Sequence, residues 1–336
     1  MSLSHARRLT AVVAACGTAT GLALGAAPAH AVARPAATDP YSAFVFTLGT
    51  TETTIYNFID TATSTLDMTM YELNDTTAVN DLIARENAGV TVRVILDEAN
   101  KSTNQAAYTK LKDAGVGVVW SSTKFTYTHQ KTITVNDDES LILTGNLTAE
   151  YYPTSRDYGV FDSNAADVAE IEKVFAADYK HSSITAADAT NLLWSPNTAQ
   201  SRLLSIINGA TKTLDVEEEE FSDTAVVDAI VDRAEAGVKV RVVVEDPSDY
   251  SSELDKVTAA GGTAVGYSSS TGFYIHAKAI VADYGLSTAA VEVGSMNVTS
   301  NSLEDNRELG IILNDTAVEK VIETAFDSDY SGGTAF

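Results

Sequence analysis

Apolar residues recur along this chain in two alternating rhythms, and the alternation is repeated in the second half. Residues 78–88 and 225–236 carry apolar side chains three and four positions apart, the spacing of one buried helix face. Each segment ends at a glycine, Gly89 or Gly237, the residue that most readily terminates a helix. Continuous β-branched runs follow both glycines and are typical of buried strands. The pattern therefore predicts strand, helix and strand in each half.

Further strand-and-helix units complete the two halves. A strand pattern at 156–161 precedes a helical pattern at 166–178, and the same order recurs at 307–312 and 317–327. Because strands and helices alternate, the sequence predicts an α/β fold with parallel-rich sheets covered by helices. The internal repeat predicts two similar halves packed about a pseudo-two-fold axis.

The first residues have the pattern of a secretion signal. A pair of arginines precedes an apolar run rich in alanine and glycine, and Ala29-His30-Ala31 forms a small-residue cleavage site. We therefore expect the mature protein to be secreted. The predicted segments are a signal peptide over 1–31, a leader over 32–40, a first repeat over 41–186 and a second repeat over 187–336.

Composition narrows the chemistry that this chain can perform. Of its 336 residues, 45% are hydrophobic, enough for a large core. Cys16 lies in the signal segment, so the mature chain cannot build disulfides or cysteine zinc sites. The net charge is −24, and loss of Arg7 and Arg8 with the signal segment, which has no acidic residue, leaves −26. Because such a surface repels polyanions, we expect no nucleic-acid partner.

Two short motifs carry the candidate chemistry. His129 and Lys131 are two residues apart, as are His276 and Lys278, and a turn with glycine and asparagine follows each pair. In extended backbone, residues two apart point to the same side. The downstream turns can bring an amide side chain and close backbone to an anion. One histidine can attack a phosphorus atom while the other protonates the leaving oxygen, so the chemistry needs both copies.

In these motifs the chain resembles the phospholipase D superfamily, whose signature is H-x-K-x4-D followed by a G-S-x-N-type turn. In the first copy Asn136 occupies the aspartate position, and the turn Gly145-Asn146 matches the signature only in part. The resemblance covers nearly all of the mature chain. It implies the phospholipase D/nuclease-like fold, with two αβα-sandwich halves and an active site at their interface. The second copy matches in full, at His276, Lys278, Asp283, Gly294, Ser295 and Asn297.

The resemblance also implies a role for each motif residue. His129 would be the nucleophile that forms a phosphohistidine, and His276 would be the general acid and base. No metal or other cofactor is implied, because Lys131 and Lys278 would stabilise the developing negative charge. The resemblance further implies the phosphate ligands Asn146, Ser295 and Asn297 and the histidine-orienting acids Asp157 and Glu308. The motif aspartate Asp283 is counted with the catalytic residues, although in this family that aspartate supports the structure.

The function implied by the resemblance is that of a secreted phospholipase D-like phosphodiesterase, an enzyme that hydrolyses or transfers the phosphatidyl group of phospholipids. We expect a zwitterionic phospholipid substrate, transient contact with membrane surfaces only, and a monomer, since both halves are fused in one chain. Two alternatives stay open. One is a nuclease or other phosphodiesterase on the same scaffold, and the other is a non-catalytic protein that binds phosphate or lipid.

Four consecutive glutamates, residues 217–220, are unusual for a strand. Alternate side chains of a strand face opposite ways, and like charges on neighbouring strands repel. The run therefore favours an edge strand or a strand end in water. The alternative is that Glu219 or Glu220 lies at the rim of the active site and meets a cationic head group.

Overall fold

The computed structural model describes residues 39–46, 51–187, 191–268 and 270–336. All of them lie within one compact unit, Ala33–Phe336. The predicted signal peptide and most of the predicted leader lie outside the described residues, and the predicted repeat boundaries stay predictions. Among the residues described, no helix is both long enough and apolar enough to cross a bilayer.

The helices and strands of the two halves follow one another in the same general order. In the first half they are β1 (Tyr41–Val45), α1 (Thr51–Asp60), β2 (Thr65–Met70), α2 (Thr76–Asn87), β3 (Thr91–Leu96), α3 (Lys101–Asp113), β4 (Gly117–Trp120), β5 (Lys131–Val135), β6 (Glu139–Leu143), β7 (Ser155–Arg156), β8 (Tyr158–Asp162) and α4 (Ala165–Tyr179). In the second half they are β9 (Leu192–Ser195), α5 (Ala199–Gly209), β10 (Thr213–Glu218), α6 (Thr224–Glu235), β11 (Lys239–Glu245), α7 (Ser251–Ala259), β12 (Thr263–Tyr267), β13 (Tyr274–Ile275), β14 (Lys278–Ala282), β15 (Ala290–Gly294), β16 (Glu308–Leu313), α8 (Thr316–Gly332) and β17 (Thr334–Ala335).

The two large sheets have the same strand order. The first is β1-β8-β6-β5-β2-β3-β4, and the second is β9-β16-β15-β14-β10-β11-β12 with β17 at its edge. In the first sheet the helices α2 and α3 connect the parallel strands β2, β3 and β4, and in the second sheet α6 and α7 connect the parallel strands β10, β11 and β12. The remaining strand pairs of both sheets are antiparallel. The predicted duplicated α/β fold is confirmed. The expectation of parallel-rich sheets is wrong, because most strand pairs of both sheets are antiparallel.

Matching caps position the helices α2 and α6. The Asp75 carboxylate accepts a hydrogen bond from the Thr77 N–H at 2.8 Å, and that of Asp223 accepts one from the Val226 N–H at 3.0 Å. These aspartates satisfy amide groups that a helix leaves unpaired at its start. At the other end the predicted stops are present, since Gly89 and its counterpart in the second half have φ values of 92° and 84°.

One hydrophobic cluster is shared by both halves. It contains residues of the inner faces of both sheets together with residues of α4 and α8. Tyr158 and Val174 of the first half lie in this cluster with Trp194, Leu309 and Phe326 of the second half. Because burial of apolar surface favours association, this cluster fixes one half against the other.

Backbone contacts across the halves place both motifs. β7 pairs in parallel with β13, and Thr128 forms an equivalent bridge with Arg307. As a result, the His129 N–H donates to the Arg307 carbonyl at 2.9 Å, and the His276 N–H donates to the Arg156 carbonyl at 3.1 Å. Each motif histidine is therefore anchored on the opposite half.

The run of four glutamates does not lie at a sheet edge. Its strand, β10, runs between β11 and β14, and Glu217 and Glu218 are buried. The expectation of an edge strand or a strand end in water is therefore wrong. Burial, together with the neighbouring carboxyl of Glu292, raises the pKa of Glu218 well above its usual value, so the strand carries less charge than its sequence suggests.

Candidate active site

Each motif histidine lies just before a strand that begins with the motif lysine. A carboxylate at the end of β3 or β11, which is the second strand away from the motif strand in each sheet, fixes the approach to each histidine. Asp97 accepts a hydrogen bond from the Thr128 N–H at 2.7 Å, and Glu245 accepts one from the Ile275 N–H at 2.9 Å. Sequence reasoning assigned no role to these two acids, although the repeat places them at matching positions and could have revealed them.

His129 is oriented by acceptors from the second half. Its Nδ1 atom lies 3.0 and 3.1 Å from the two carboxylate oxygens of Glu308 and 3.1 Å from the Ser295 carbonyl oxygen. Because all three are acceptors, Nδ1 carries the proton and Nε2 keeps a free lone pair. Burial lowers the pKa of His129, and the positive motif lysines reinforce this against the pull of Glu308. His129 is therefore neutral at neutral pH.

His276 is oriented by an acid from the first half. Its Nδ1 atom lies 2.8 Å from Asp157 Oδ1. Although burial alone would raise the pKa of Asp157, the charge of His276 and their hydrogen bond hold it below its usual value. The carboxylate is therefore ionised and accepts the Nδ1 proton. Both motif histidine side chains are 11% exposed, so each ring is largely buried but still reaches solvent.

A buried hydroxyl supports each histidine-orienting acid. Ser295 Oγ donates to Glu308 at 2.6 Å, and Thr144 Oγ1 donates to Asp157 at 2.7 Å. Ser295 was expected to bind phosphate, but its hydroxyl proton is committed to Glu308. Thr144 is its counterpart in the first half, which the sequence did not reveal. Gly145 is required beside it, since a Cβ there would lie 2.8 Å from the Asp157 carboxyl carbon.

The two motif lysines are buried side by side with different partners. Each Nζ donates to the carbonyl oxygen of its own motif histidine, at 2.7 Å for Lys131 and 2.5 Å for Lys278. Lys131 Nζ also lies 5.1 Å from the centre of the Tyr71 ring, whereas Lys278 Nζ lies 2.8 Å from Glu219 Oε2. Burial lowers the pKa of Lys131 to about 7.

One asparagine amide borders the same space, since Asn297 Nδ2 lies 3.4 Å from Glu219 Oε2. Asn146 follows the first turn at the matching position of the sequence. The Oδ1 atoms of both asparagines are buried and have no hydrogen-bond partner among the residues described. The structure thus brings His276, Lys278 and Asn297 around one carboxylate, and Lys278 lies near enough to His129 and Lys131 for its charge to lower the pKa of both.

Asp283 is not part of this group, so its expected place in the catalytic set is corrected. It follows the far end of β14, and the five-residue step from Lys278 spans roughly 16 Å of extended chain. Its carboxylate accepts hydrogen bonds from the Thr211 N–H at 2.9 Å and the Lys212 N–H at 2.6 Å. Asp283 therefore holds the loop that leads into β10.

Asn136 performs the same task in the first half. Its Oδ1 accepts hydrogen bonds from the Thr63 N–H at 2.7 Å and the Ser64 N–H at 3.0 Å, in the loop that leads into β2. An amide oxygen is sufficient for this purpose. The departure from the H-x-K-x4-D signature therefore changes a structural turn and leaves the group around the histidines intact.

One known domain family matches the chain twice. The domain family described as "Cardiolipin synthase, PLD-like domain" matches residues 55–179 and again 203–330. No curated protein sequence matches the chain.

Two solved structures show the same fold. The chain is similar to a polyphosphate kinase from Porphyromonas gingivalis, with 14% identity and a TM-score of 0.67 over 86% of this chain and 50% of the kinase, so it spans half the length of that protein. It is also similar to a phosphatidylserine synthase from Haemophilus influenzae Rd KW20, with 11% identity and a TM-score of 0.64 over 88% of this chain and 87% of the synthase.

Proposed function

Since the chain belongs to the phospholipase D superfamily and contains the PLD-like domain twice, we propose that it is a secreted phosphodiesterase that cleaves phospholipids on the head-group side of phosphorus. The observation that carries the proposal is the crossed pairing of the site, in which the acid of each half orients the histidine of the other. This pairing ties each histidine ring to the opposite half, which supports a mechanism in which both Nε2 atoms act on one phosphorus.

The surroundings of the two rings favour different roles. Among the described residues His129 has acceptors at Nδ1 and none at Nε2, and its neutral Nε2 suits a nucleophile. His276 has Asp157 at Nδ1 and Glu219 at 3.5 Å from Nε2, an arrangement that suits a proton donor. These contacts support the order of roles that the superfamily resemblance implied.

The proposed reaction has two steps. In the first, His129 Nε2 attacks phosphorus in line, the bond to the head-group oxygen breaks, and His276 gives that oxygen a proton. In the second, His276 removes a proton from water or from an acceptor alcohol, whose oxygen attacks phosphorus and releases His129. Lys131 and Lys278, with the two asparagine amides, would hold the non-bridging oxygens, where each donor typically contributes about 10²-fold to 10³-fold in rate.

Charge supports a zwitterionic phospholipid as the substrate. The cationic floor of the site, Lys131 and Lys278, is buried, whereas carboxylates such as Glu72 and Glu220 lie closer to solvent. A substrate with an inner phosphate and an outer cationic group matches this layout. Extracellular location, transient contact with membrane surfaces and a monomeric state are parts of the same proposal.

Trapping the covalent intermediate tests the proposal. In a phosphatidyl ester of p-nitrophenol, nitrophenol replaces the head group and can leave without a proton, so His276→Ala should release about one equivalent of nitrophenolate and then stop, with the phosphatidyl group bound to His129. His129→Ala should show no burst and lose at least about 10⁴-fold in turnover. The control His181→Ala changes an exposed histidine and should stay within about twofold of wild type.

Several outcomes would contradict the proposal. If no phosphorus were found covalently bound to His129 or His276, the covalent mechanism would be wrong. Faster cleavage of DNA or RNA than of phosphatidylcholine vesicles would favour a nuclease, and unchanged function in both alanine variants would favour a binding protein. Adding a primary alcohol to the vesicle assay separates transfer from hydrolysis, which the similarity to a protein titled phosphatidylserine synthase makes worth measuring.

A further inference from the structure

The two halves differ at one position inside the site. Tyr71 and Glu219 are equivalent, because each follows the strand residue that is paired with the motif lysine. Tyr71 packs the edge of its ring against His129, with the ring centres 4.5 Å apart. Glu219 turns a carboxylate toward the second motif instead. The repeat therefore carries a neutral ring in one half and an acid in the other.

The Glu219 carboxylate contacts the groups that would hold a phosphate oxygen. Its Oε2 atom lies 2.8 Å from Lys278 Nζ, 3.4 Å from Asn297 Nδ2 and 3.5 Å from His276 Nε2. Its Oε1 atom accepts a hydrogen bond from the Tyr274 hydroxyl. One oxygen thus occupies the phosphate position of the second half, while the other ties the side chain to the wall.

This carboxylate is an anion in the folded protein. Burial alone would raise the pKa of Glu219, but the charges of His276 and Lys278 and its hydrogen bonds hold that pKa far below its usual range. An anion and a substrate phosphate cannot share one oxygen position, and two negative charges at such short range repel each other.

We propose that Glu219 is a built-in competitor of the substrate phosphate, which must displace its carboxylate from Lys278, Asn297 and His276 before phosphorus can be attacked. The inference rests on the proposed function, because it takes the space between the motifs as a phosphate site. It makes Glu219 a specificity-determining residue. An anion without a cationic group must displace the Glu219 carboxylate and gains no new contact with it. A substrate that carries its own cationic group can instead form an ion pair with the displaced carboxylate.

Binding of tungstate, a phosphate analogue, to the full chain tests this inference without any turnover. Measured by isothermal titration calorimetry, Glu219→Gln should bind tungstate at least about tenfold more tightly than wild type, because the competing charge is gone. Tyr274→Phe keeps the Glu219 carboxylate but removes its hydrogen bond from the tyrosine hydroxyl, and should bind tungstate about threefold more tightly than wild type. The matched control Glu304→Gln removes one exposed charge elsewhere and should stay within about twofold.

The inference is overturned if Glu219→Gln binds tungstate no more tightly than wild type, or if the control Glu304→Gln gains as much tungstate affinity as Glu219→Gln. If Glu219→Gln fails to fold, as judged by its melting curve, Tyr274→Phe decides, and an unchanged affinity in that variant is the negative result. A chain that cleaves no phosphodiester but gains tungstate affinity on Glu219→Gln would refute the proposed function and leave the competition intact.

Discussion

At the scale of single residues, the two motif lysines differ although their motifs are alike. Lys278 has the Glu219 carboxylate at 2.8 Å, whereas Lys131 faces the ring of Tyr71. Burial lowers the pKa of Lys131 to about 7, and the carboxylate of Glu308 offsets only part of that effect. Lys131 therefore changes charge near neutral pH.

Anion binding should consequently weaken as the pH rises. A lysine binds an oxyanion only when protonated, so affinity is full below the pKa of the free protein and falls above it. Tungstate affinity should drop by up to about tenfold per unit above pH 7. Titrations at about pH 7, 8 and 9 measure this slope, and Lys131→Arg should abolish it because guanidinium stays charged. An equally steep slope in that variant would assign the titration to another group.

The sequence predicted the identity of the motif residues better than it predicted their contacts. The repeated H-x-K pattern identified both histidines and both lysines, because two residues apart in extended chain share a side. Sequence could not show that His129 pairs with Glu308 across the halves, since this depends on how two sheets dock. Thr144 was given no role, because the signature has a serine at this position and only Ser295 of the second copy matches it. Glu219 was considered only for the rim, because its turn into the site depends on β10 being a central strand.

At the scale of elements, the loops that enter β2 and β10 are held by equivalent residues of different charge. Asn136 and Asp283 both have positive φ values, and both accept main-chain N–H groups of the preceding loop. Burial would raise the pKa of Asp283, but these hydrogen bonds lower it to about 2. Its charge therefore contributes stability above the unfolded value of 3.8, and that contribution is lost as the pH falls toward 2.

The variant Asp283→Asn should reproduce the first-half turn in the second half. It keeps one acceptor oxygen and loses the charge, so we expect it to cost about 1 kcal/mol of unfolding free energy at neutral pH and to be less sensitive to acid than wild type. Urea unfolding at neutral pH and near pH 3 measures both effects. Tungstate affinity should stay within about twofold, since the residue lies far from the histidines; a large loss would return Asp283 to the site.

Elements with strong periodicity were predictable, and those that bury polar groups were not. The helices α2 and α6 were expected from apolar spacing and their terminal glycines, and their starts moved slightly because Asp75 and Asp223 cap them. Helix α3 was not expected. It buries Asn104, whose side chain accepts from the Leu73 N–H at 2.8 Å and donates to the Tyr71 carbonyl at 2.8 Å. A pattern of apolar positions cannot reveal a helix face that is held by hydrogen bonds.

At the scale of the whole molecule, positive charge at the site is enclosed by a strongly acidic chain. The net charge is −24, while Lys131 and Lys278 are fully buried. The shared hydrophobic cluster of α4, α8 and both sheets holds the two lysines at the junction of the halves. A substrate therefore meets a repulsive field for anions at long range and an attractive site for phosphate only on contact.

This arrangement predicts how membrane composition controls the proposed activity. Cleavage of phosphatidylcholine vesicles should fall by about tenfold at low salt when a third of the lipid is replaced by phosphatidylglycerol, because an anionic surface repels the approaching protein. Replacing the same fraction with cholesterol is the uncharged control. Since the Debye length is about 30 Å at 0.01 M salt but about 8 Å at 0.15 M, added salt should restore most of the lost rate. If phosphatidylglycerol instead accelerates cleavage, a local cationic surface must outweigh the net charge, and the zwitterionic preference would lose its electrostatic basis.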